Sequence, residues 1–416
     1  MSQLDQRTRS DRDCRRIDAE SFFRSELPGH LERNGELAAR GAAAWELCPL
    51  TLEVEGEAAF TLLPAEGRLR AVAGSVDPAA VAVMNGESFS DLVQDQCSTM
   101  GLVLGGLVEM KSGGLDDWIE WEPSLRALLD GRPAYEPGAL SFRDRNGAPL
   151  ELRRSFRPED DPDEMAHFLA EAGFLHLQGV FEVNEMDAIS ADIDRAVPQY
   201  TPDDGRSWWA RTKCGAHRPV RLQCFQEHSA STAALLADER FLRIGELGRS
   251  GYEPATIAGG NAVEALVKPV DVAEGISDVP WHKDCALGRH SYRCSSMTVG
   301  ISVTGADAGS GELGVVPGSH RASLPLSGVH PRVELPRLPL PTRTGDVTVH
   351  LSCTLHMSRP PVQRERRVLY TNFVLPLRDG DDERGSDKLS AIREAAPQRM
   401  GRESTPELGR VGSFEL

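Results

Sequence analysis

Two hydrophobic periods alternate along the first third of the chain. Leu50, Leu52 and Val54 interleave with Thr51, Glu53 and Glu55, the period-two pattern of a half-buried strand, and Gly56 ends it. Leu69, Ala71 and Ala73 repeat this pattern more weakly. Phe89, Leu92, Val93, Gln96, Cys97 and Met100 recur at helical spacing as far as Gly101. Leu102 to Met110, with Gly105-Gly106 inside it, reads as a strand with a bend. Leu125, Leu128 and Leu129 share one face of a helix closed by Asp130-Gly131. These elements predict an α+β accessory unit over residues 31–142. Residues 1–30 read as a flexible terminus. Residues 143–163 carry Asn146-Gly147, Pro149, Pro158 and an acidic run from Glu159, and read as a linker.

Beyond Glu164 the pattern changes. Met165 to Ala172 and Asn184 to Val197 read as helices, with a strand from Phe174 between them. Short apolar runs follow at Ala265–Val270, Met297–Val303, Leu313–Val316, Val347–Leu351 and Val368–Leu375, separated by turn residues. Many short strands with Gly and Pro between them suggest a sandwich or barrel over 164–377. Residues 378–416 form a polar tail.

A chain of 416 residues accommodates two or three domains. Asp and Glu number 63 against 46 Lys and Arg, a net charge of -17. That surface repels phosphate backbones, which argues against a nucleic-acid partner. No apolar run approaches the ~20 residues that span a bilayer, and the charged first residues lack a secretory h-region. A cytoplasmic protein is expected. The eight cysteines form no C-x-x-C pair, so they read as reduced thiols.

The sharpest chemical signal is Trp281-His282-Lys283-Asp284. Two residues apart on a strand, His282 and Asp284 point to one face and make half of a metal site. Non-heme Fe(II) centres complete such a pair with a second His. His356 and His350 both lie downstream of the turn Thr344-Gly345-Asp346. Beyond them Arg366 and Arg367 open an alternating strand, where a guanidinium facing the site can bind a distal carboxylate such as that of 2-oxoglutarate. Strand register decides which arginine faces inward.

Taken together, Pro280-Trp281-His282-Lys283-Asp284, the run Gly311 to His320 with its Pro317-Gly318-Ser319-His320, Gly345-Asp346, His356-x-Ser358 and Arg367 resemble the phytanoyl-CoA dioxygenase family. The resemblance covers about 164–375. It implies a double-stranded β-helix (jelly roll) with flanking helices, so the fold class is a mainly β catalytic domain plus the N-terminal α+β domain. It implies Fe(II) and 2-oxoglutarate as cofactor and cosubstrate, O2 as oxidant, and ascorbate as a support of activity. It makes His282, Asp284 and His356 the iron ligands, and Arg367 with Ser358 the binders of the distal carboxylate. Lys283 stands where the family often has Gln. Asp284 fills the position that halogenases of the wider superfamily leave open for chloride, so halogenation is disfavoured. The N-terminal unit more loosely resembles sterol-carrier-protein-2-like domains; a covering or dimerising domain is the simpler reading.

The segment Arg206 to Arg221 concentrates cations and aromatics. Trp208, Trp209 and Arg211 are candidate substrate contacts on a loop, with Lys268 on a later strand; the plainer reading is a surface segment paired with acidic neighbours. The expected activity is hydroxylation of an unactivated C–H bond in a small organic substrate, with a homodimer as a compatible assembly. Desaturation, cyclisation or epimerisation with the same cofactors is the first alternative. A metal-binding jelly roll that is not an oxygenase is the second.

Overall fold

A computed structural model describes residues 9–65, 67–255, 262–275, 279–287, 296–325, 333–381 and 391–392. Most of the expected polar tail lies outside the described residues. The N-terminal sheet contains β1 (Leu50–Val54), β2 (Ala59–Leu63), β3 (Arg70–Ala73), β4 (Ala80–Met84) and β5 (Glu109–Ser112), in the order β3-β2-β1-β4-β5. β1 runs parallel to β4 and antiparallel to β2. Leu50, Leu52 and Val54 are buried, as their alternation predicts.

Residues 9–30 are not the loose terminus expected. The Asp18 side chain accepts the Ser21 amide at 2.8 Å and starts a helical run that reaches Ala44. Ile17, Ala19, Phe22 and Leu27 are buried from it, with the Phe22 ring edge-on to Phe89. The apolar face, not the flanking charge, decides the outcome. The expected bent strand at 102–110 is also corrected. Ser98 caps a helix at Thr99–Gly105, its side chain accepting the Gly101 amide at 2.9 Å, and Gly106 closes that helix at φ +66°. Glycine costs nothing in that conformation, so the Gly-Gly pair marks a C-cap rather than a bend. The helix predicted around Leu125, Leu128 and Leu129 is present as Glu122–Asp130 and is closed by Gly131, as expected.

The second half is a jelly roll. Its strands are β6 (Phe174–Leu177), β7 (Ser207–Thr212), β8 (His217–Leu222), β9 (Glu253–Pro254), β10 (Val263–Lys268), β11 (Val272–Glu274), β12 (Val279–His282), β13 (Ser296–Ser302), β14 (Leu313–Val315), β15 (Leu338–Leu340), β16 (Val347–Leu351), β17 (His356–Ser358) and β18 (Arg366–Val374). Among the described residues they form a major sheet ordered β11-β7-β8-β10-β18-β13-β16-β6, with β9 on β18, and a minor sheet ordered β12-β17-β14-β15. Val263, Ala265 and Val267 of β10 and Met297, Val299 and Ile301 of β13 share one buried core with Ile189, Ile193, Phe241 and Ile244 of the flanking helices. The alternate positions of both strands face the opposite way, which leaves a polar inner face for the site.

Residues 143–163 do not form a free linker. Phe156 is buried, its amide donates to the His176 carbonyl at 2.9 Å, and its carbonyl accepts the Gln178 amide at 2.7 Å. The segment is thus fastened to the start of the jelly roll. The two halves of the chain also touch. Trp45 and Tyr135 share an apolar cluster with Trp281, Val316, Leu355 and Met357. The Tyr135 amide donates to the Ser323 carbonyl at 2.9 Å. The Thr99–Gly105 helix packs on the turn 284–287.

Candidate metal centre

β12 and β17 are antiparallel neighbours, and their register sets His282 opposite His356. Asp284 opens a short turn just past β12. One ligand atom from each of these residues falls within 4.8 Å of the others. Asp284 Oδ1 lies 3.4 Å from His282 Nε2 and 3.5 Å from His356 Nε2. His356 Nδ1–H donates to the Thr354 carbonyl at 2.9 Å, which fixes the tautomer and leaves the Nε2 lone pair free to bind. Two neutral imidazoles and one carboxylate are the donor set that suits Fe(II), so the residues fit that ion.

The other carboxylate oxygen is tied down. Thr298 Oγ1 donates to Asp284 Oδ2 at 2.7 Å, and His350 Nε2 lies 3.3 Å from it. Thr298 pairs with His350 on β16 and with Asn372 on β18, so three strands supply one cross-sheet row beneath the carboxylate. Burial alone would push the Asp284 carboxyl up, but hydrogen bonding by the His282 and His350 rings holds it well below the usual carboxylate range. His356 is itself pushed well below the ordinary imidazole value, first by burial and then by the two neighbouring histidines. It is therefore neutral, as a ligand must be. His350 stands outside the triad and supports it from behind. Thr298 and Asn372 carry no motif; the only hint in the sequence is a polar residue at an inward position of an apolar strand.

The Pro317-Gly318-Ser319-His320 run proves to be scaffolding. Ser319 Oγ accepts the Leu355 amide at 2.7 Å, next to His356. Lys283 is buried and donates to the Ser319 carbonyl at 2.9 Å, joining the His-x-Asp segment to the same turn. Asp346 accepts the Gly179 and Arg343 amides at 2.9 and 2.8 Å and so fixes its turn, without touching the triad.

The expected role of Arg367 is corrected by the register of β18. Arg366 pairs with Lys268, and Arg367 with Val267, which belongs to the helix-covered core. Arg367 therefore points outward, where it meets Asp194 at 2.8 Å, Glu365 at 3.0 Å and the Ser190 carbonyl at 2.9 Å. Arg366 is buried on the inner side. Its Nη1 donates to the Gly311 carbonyl at 2.7 Å and to Ser358 Oγ at 3.2 Å. Lys268 Nζ reaches the same Ser358 Oγ at 2.6 Å and the Arg359 carbonyl at 2.7 Å. Two cations and one hydroxyl thus converge, and His356 and Ser358 lie on one face of β17 about 7 Å apart along the strand.

The expected cationic loop is instead the β7–β8 hairpin. Arg211 pairs with Glu274, Lys213 with Asp271, Arg218 with Glu365 and Arg221 with Glu264. Its charge is neutralised by acidic neighbours, which removes Arg211 as a free anion contact. Trp209 packs against the main core and donates to Ser207 Oγ at 2.8 Å. Trp208 lies under the Arg221 guanidinium, 4.5 Å from its ring centroid. Arg221 pairs with Leu266 on the inner side of β10, so Trp208 borders the face that carries the site. A groove of about 460 Å³ lined by Arg154, His176, Asp307 and Arg343 includes none of the triad.

Residues 169–368 match the family model of Phytanoyl-CoA dioxygenase (PhyH). No curated protein matches the chain. Solved structures similar to it include SnoN, a non-heme alpha ketoglutarate dependent epimerase from nogalamycin biosynthesis, at 20% identity and a TM-score of 0.41, over 51% of this chain and 80% of that one. The carbocyclase SnoK of the same biosynthesis is 17% identical with a TM-score of 0.40, over 53% and 87%. HygX from Streptomyces hygroscopicus, with nickel and 2-oxoglutarate bound, is 17% identical with a TM-score of 0.38, over 51% and 86%. The family match coincides with the jelly roll that carries His282, Asp284 and His356, and this half of the chain belongs to the phytanoyl-CoA dioxygenase family of Fe(II)- and 2-oxoglutarate-dependent enzymes.

Proposed function

We propose that the protein hydroxylates an unactivated C–H bond of a small organic substrate, with His282, Asp284 and His356 holding Fe(II). The observation that carries this reading is the pairing of a two-His-one-carboxylate triad with a buried cation pair at Ser358. Hydrolysis has no use for such a clamp, whereas 2-oxoglutarate needs one for its far carboxylate. Arg366 supplies the fork, Ser358 the hydroxyl and Lys268 a second charge. The spacing of His356 and Ser358 along β17 suits a five-carbon diacid with its keto acid end at the metal. Fe(II) held here supplies O2 activation coupled to decarboxylation of 2-oxoglutarate.

The remaining work belongs to the chain. Thr298 and His350 hold Asp284 Oδ2 so that Oδ1 faces the two histidines. Thr354 keeps His356 in its binding tautomer. Trp208 offers an aromatic border on the substrate side. Ascorbate supports turnover as a reductant, and the N-terminal domain covers one side of the centre. The test is succinate formation on adding Fe(II), ascorbate and 2-oxoglutarate under O2, followed by mass analysis of product made with isotopically labelled O2. Succinate with label in the product is expected. Succinate with an unlabelled, dehydrogenated or isomerised product would replace hydroxylation by the alternative outcomes, and no succinate would defeat the reading.

A further inference from the structure

The sulfur atoms of Cys285 and Cys353 lie 3.1 Å apart. Each belongs to a segment that carries a triad residue: Cys285 follows Asp284 in its turn, and Cys353 precedes His356 by three positions. The two segments are already stitched together. The Cys285 amide donates to the Ser352 carbonyl at 3.2 Å, and Ser352 is anchored in turn on β13, its amide donating to the Ser296 carbonyl at 3.0 Å. Cys285 is half-buried, while Cys353 is buried. This is the arrangement of an accessible thiol backed by a resolving one. A disulfide needs the sulfurs about 1 Å closer, a small displacement for two loops in contact.

We propose that Cys285 and Cys353 are an oxidation site, forming a reversible disulfide that switches the metal centre off. The oxidant is a peroxide. The Cys285 sulfur attacks one peroxide oxygen, the O–O bond breaks, and one water leaves a sulfenic acid behind. The Cys353 sulfur then attacks that sulfur, the S–O bond breaks, and the second water departs. The two thiols lose two electrons and two protons, and the peroxide becomes two waters. A dithiol reverses the reaction by exchange. The effect on the centre rests on the metal reading above. Metal ligands tolerate displacements of about 0.2 Å. Drawing Cys285 toward Cys353 moves the residue bonded to Asp284 by several times that, while Thr298 still grips the carboxylate.

The experiment uses the full chain, stripped of metal, with Ni(II) as a redox-inert probe. Peroxide should abolish two thiols and yield a cross-linked peptide joining residues 285 and 353 by mass spectrometry. Ni(II) affinity by calorimetry should fall about tenfold or more and return on reduction. Cys285→Ser and Cys353→Ser should each keep their Ni(II) affinity through the same treatment. A cross-link with unchanged affinity would overturn the switch, and so would oxidation that leaves 285 and 353 unlinked. Reduced protein that takes up no Ni(II) would remove the metal centre itself and the switch with it, which separates the two failures.

Discussion

Arg366 and Arg367 differ by one position in sequence and by the full thickness of a sheet in space. Arg366→Ala should raise the KM for 2-oxoglutarate tenfold or more, because a buried carboxylate would lose its charge-assisted fork. Arg367→Ala should leave that KM unchanged. It should cost only about 1 kcal/mol of stability, since its partners Asp194 and Glu365 are partly exposed. Initial rates over a range of 2-oxoglutarate, together with thermal melts of both variants, decide this; equal KM effects would reject the assignment. His282 and Asp284 stood out through the His-x-Asp tripeptide, although Asp284 lies in the turn just past β12 and not on the strand that the two-residue spacing assumed, and His356 stood out only through the family resemblance. The clamp was not legible, because the choice between adjacent arginines depends on where β18 meets Lys268 of β10, a pairing between distant segments.

At the scale of elements, the corner between the helices at Gly86–Val93 and Thr99–Gly105 holds a buried charge cluster. Arg126, 1% exposed, faces Asp95, Glu122 and Asp130, and Arg132 also reaches Asp95. Burial pushes the Asp95 carboxyl up to about 7, against the pull of Arg126 and Arg132. Unfolded, the same group titrates near ~4. The folded chain therefore retains a proton between those values, and stability falls as pH rises through that window, with no further loss above it. Asp95→Asn should flatten this slope in melts taken between pH 4 and 8; an unchanged slope would show that another group sets it. This corner also shows why one predicted helix became two. Asp95 sits at φ +59°, a break that the apolar spacing of 89–100 does not reveal. β2 and β4 escaped notice because consecutive positions are buried on them, Phe60 to Leu62 and Ala80 to Ala82, so neither needs a clean alternation.

At the scale of the molecule, the N-terminal half covers apolar surface on the catalytic half. A chain starting at Arg157 would expose Trp281, Val316, Leu355 and Met357, which now meet Trp45 and Tyr135. It should aggregate, as light scattering would report; a soluble, monodisperse product would refute the covering role. The cavity among Phe22, Phe60, Phe89 and Leu125 measures only about 10 Å³, which leaves no room for a lipid chain in this conformation. A sealed core agrees with covering rather than carriage. None of this docking had a local signature, since apolar residues that face another domain look like any other core residues.

Trp281 occupies an unusual place in this arrangement. Its indole is buried in the cluster that joins the two halves, and its backbone leads directly into His282. Loading the triad with a paramagnetic ion should quench its fluorescence, because Trp281 adjoins His282 in sequence, and separation of the halves should shift the emission to the red. The same fluorophore therefore reports cofactor loading by intensity and domain docking by colour, and the difference spectrum against Trp281→Phe isolates its signal from the other indoles. The chain carries its own optical gauge of whether it is assembled and loaded.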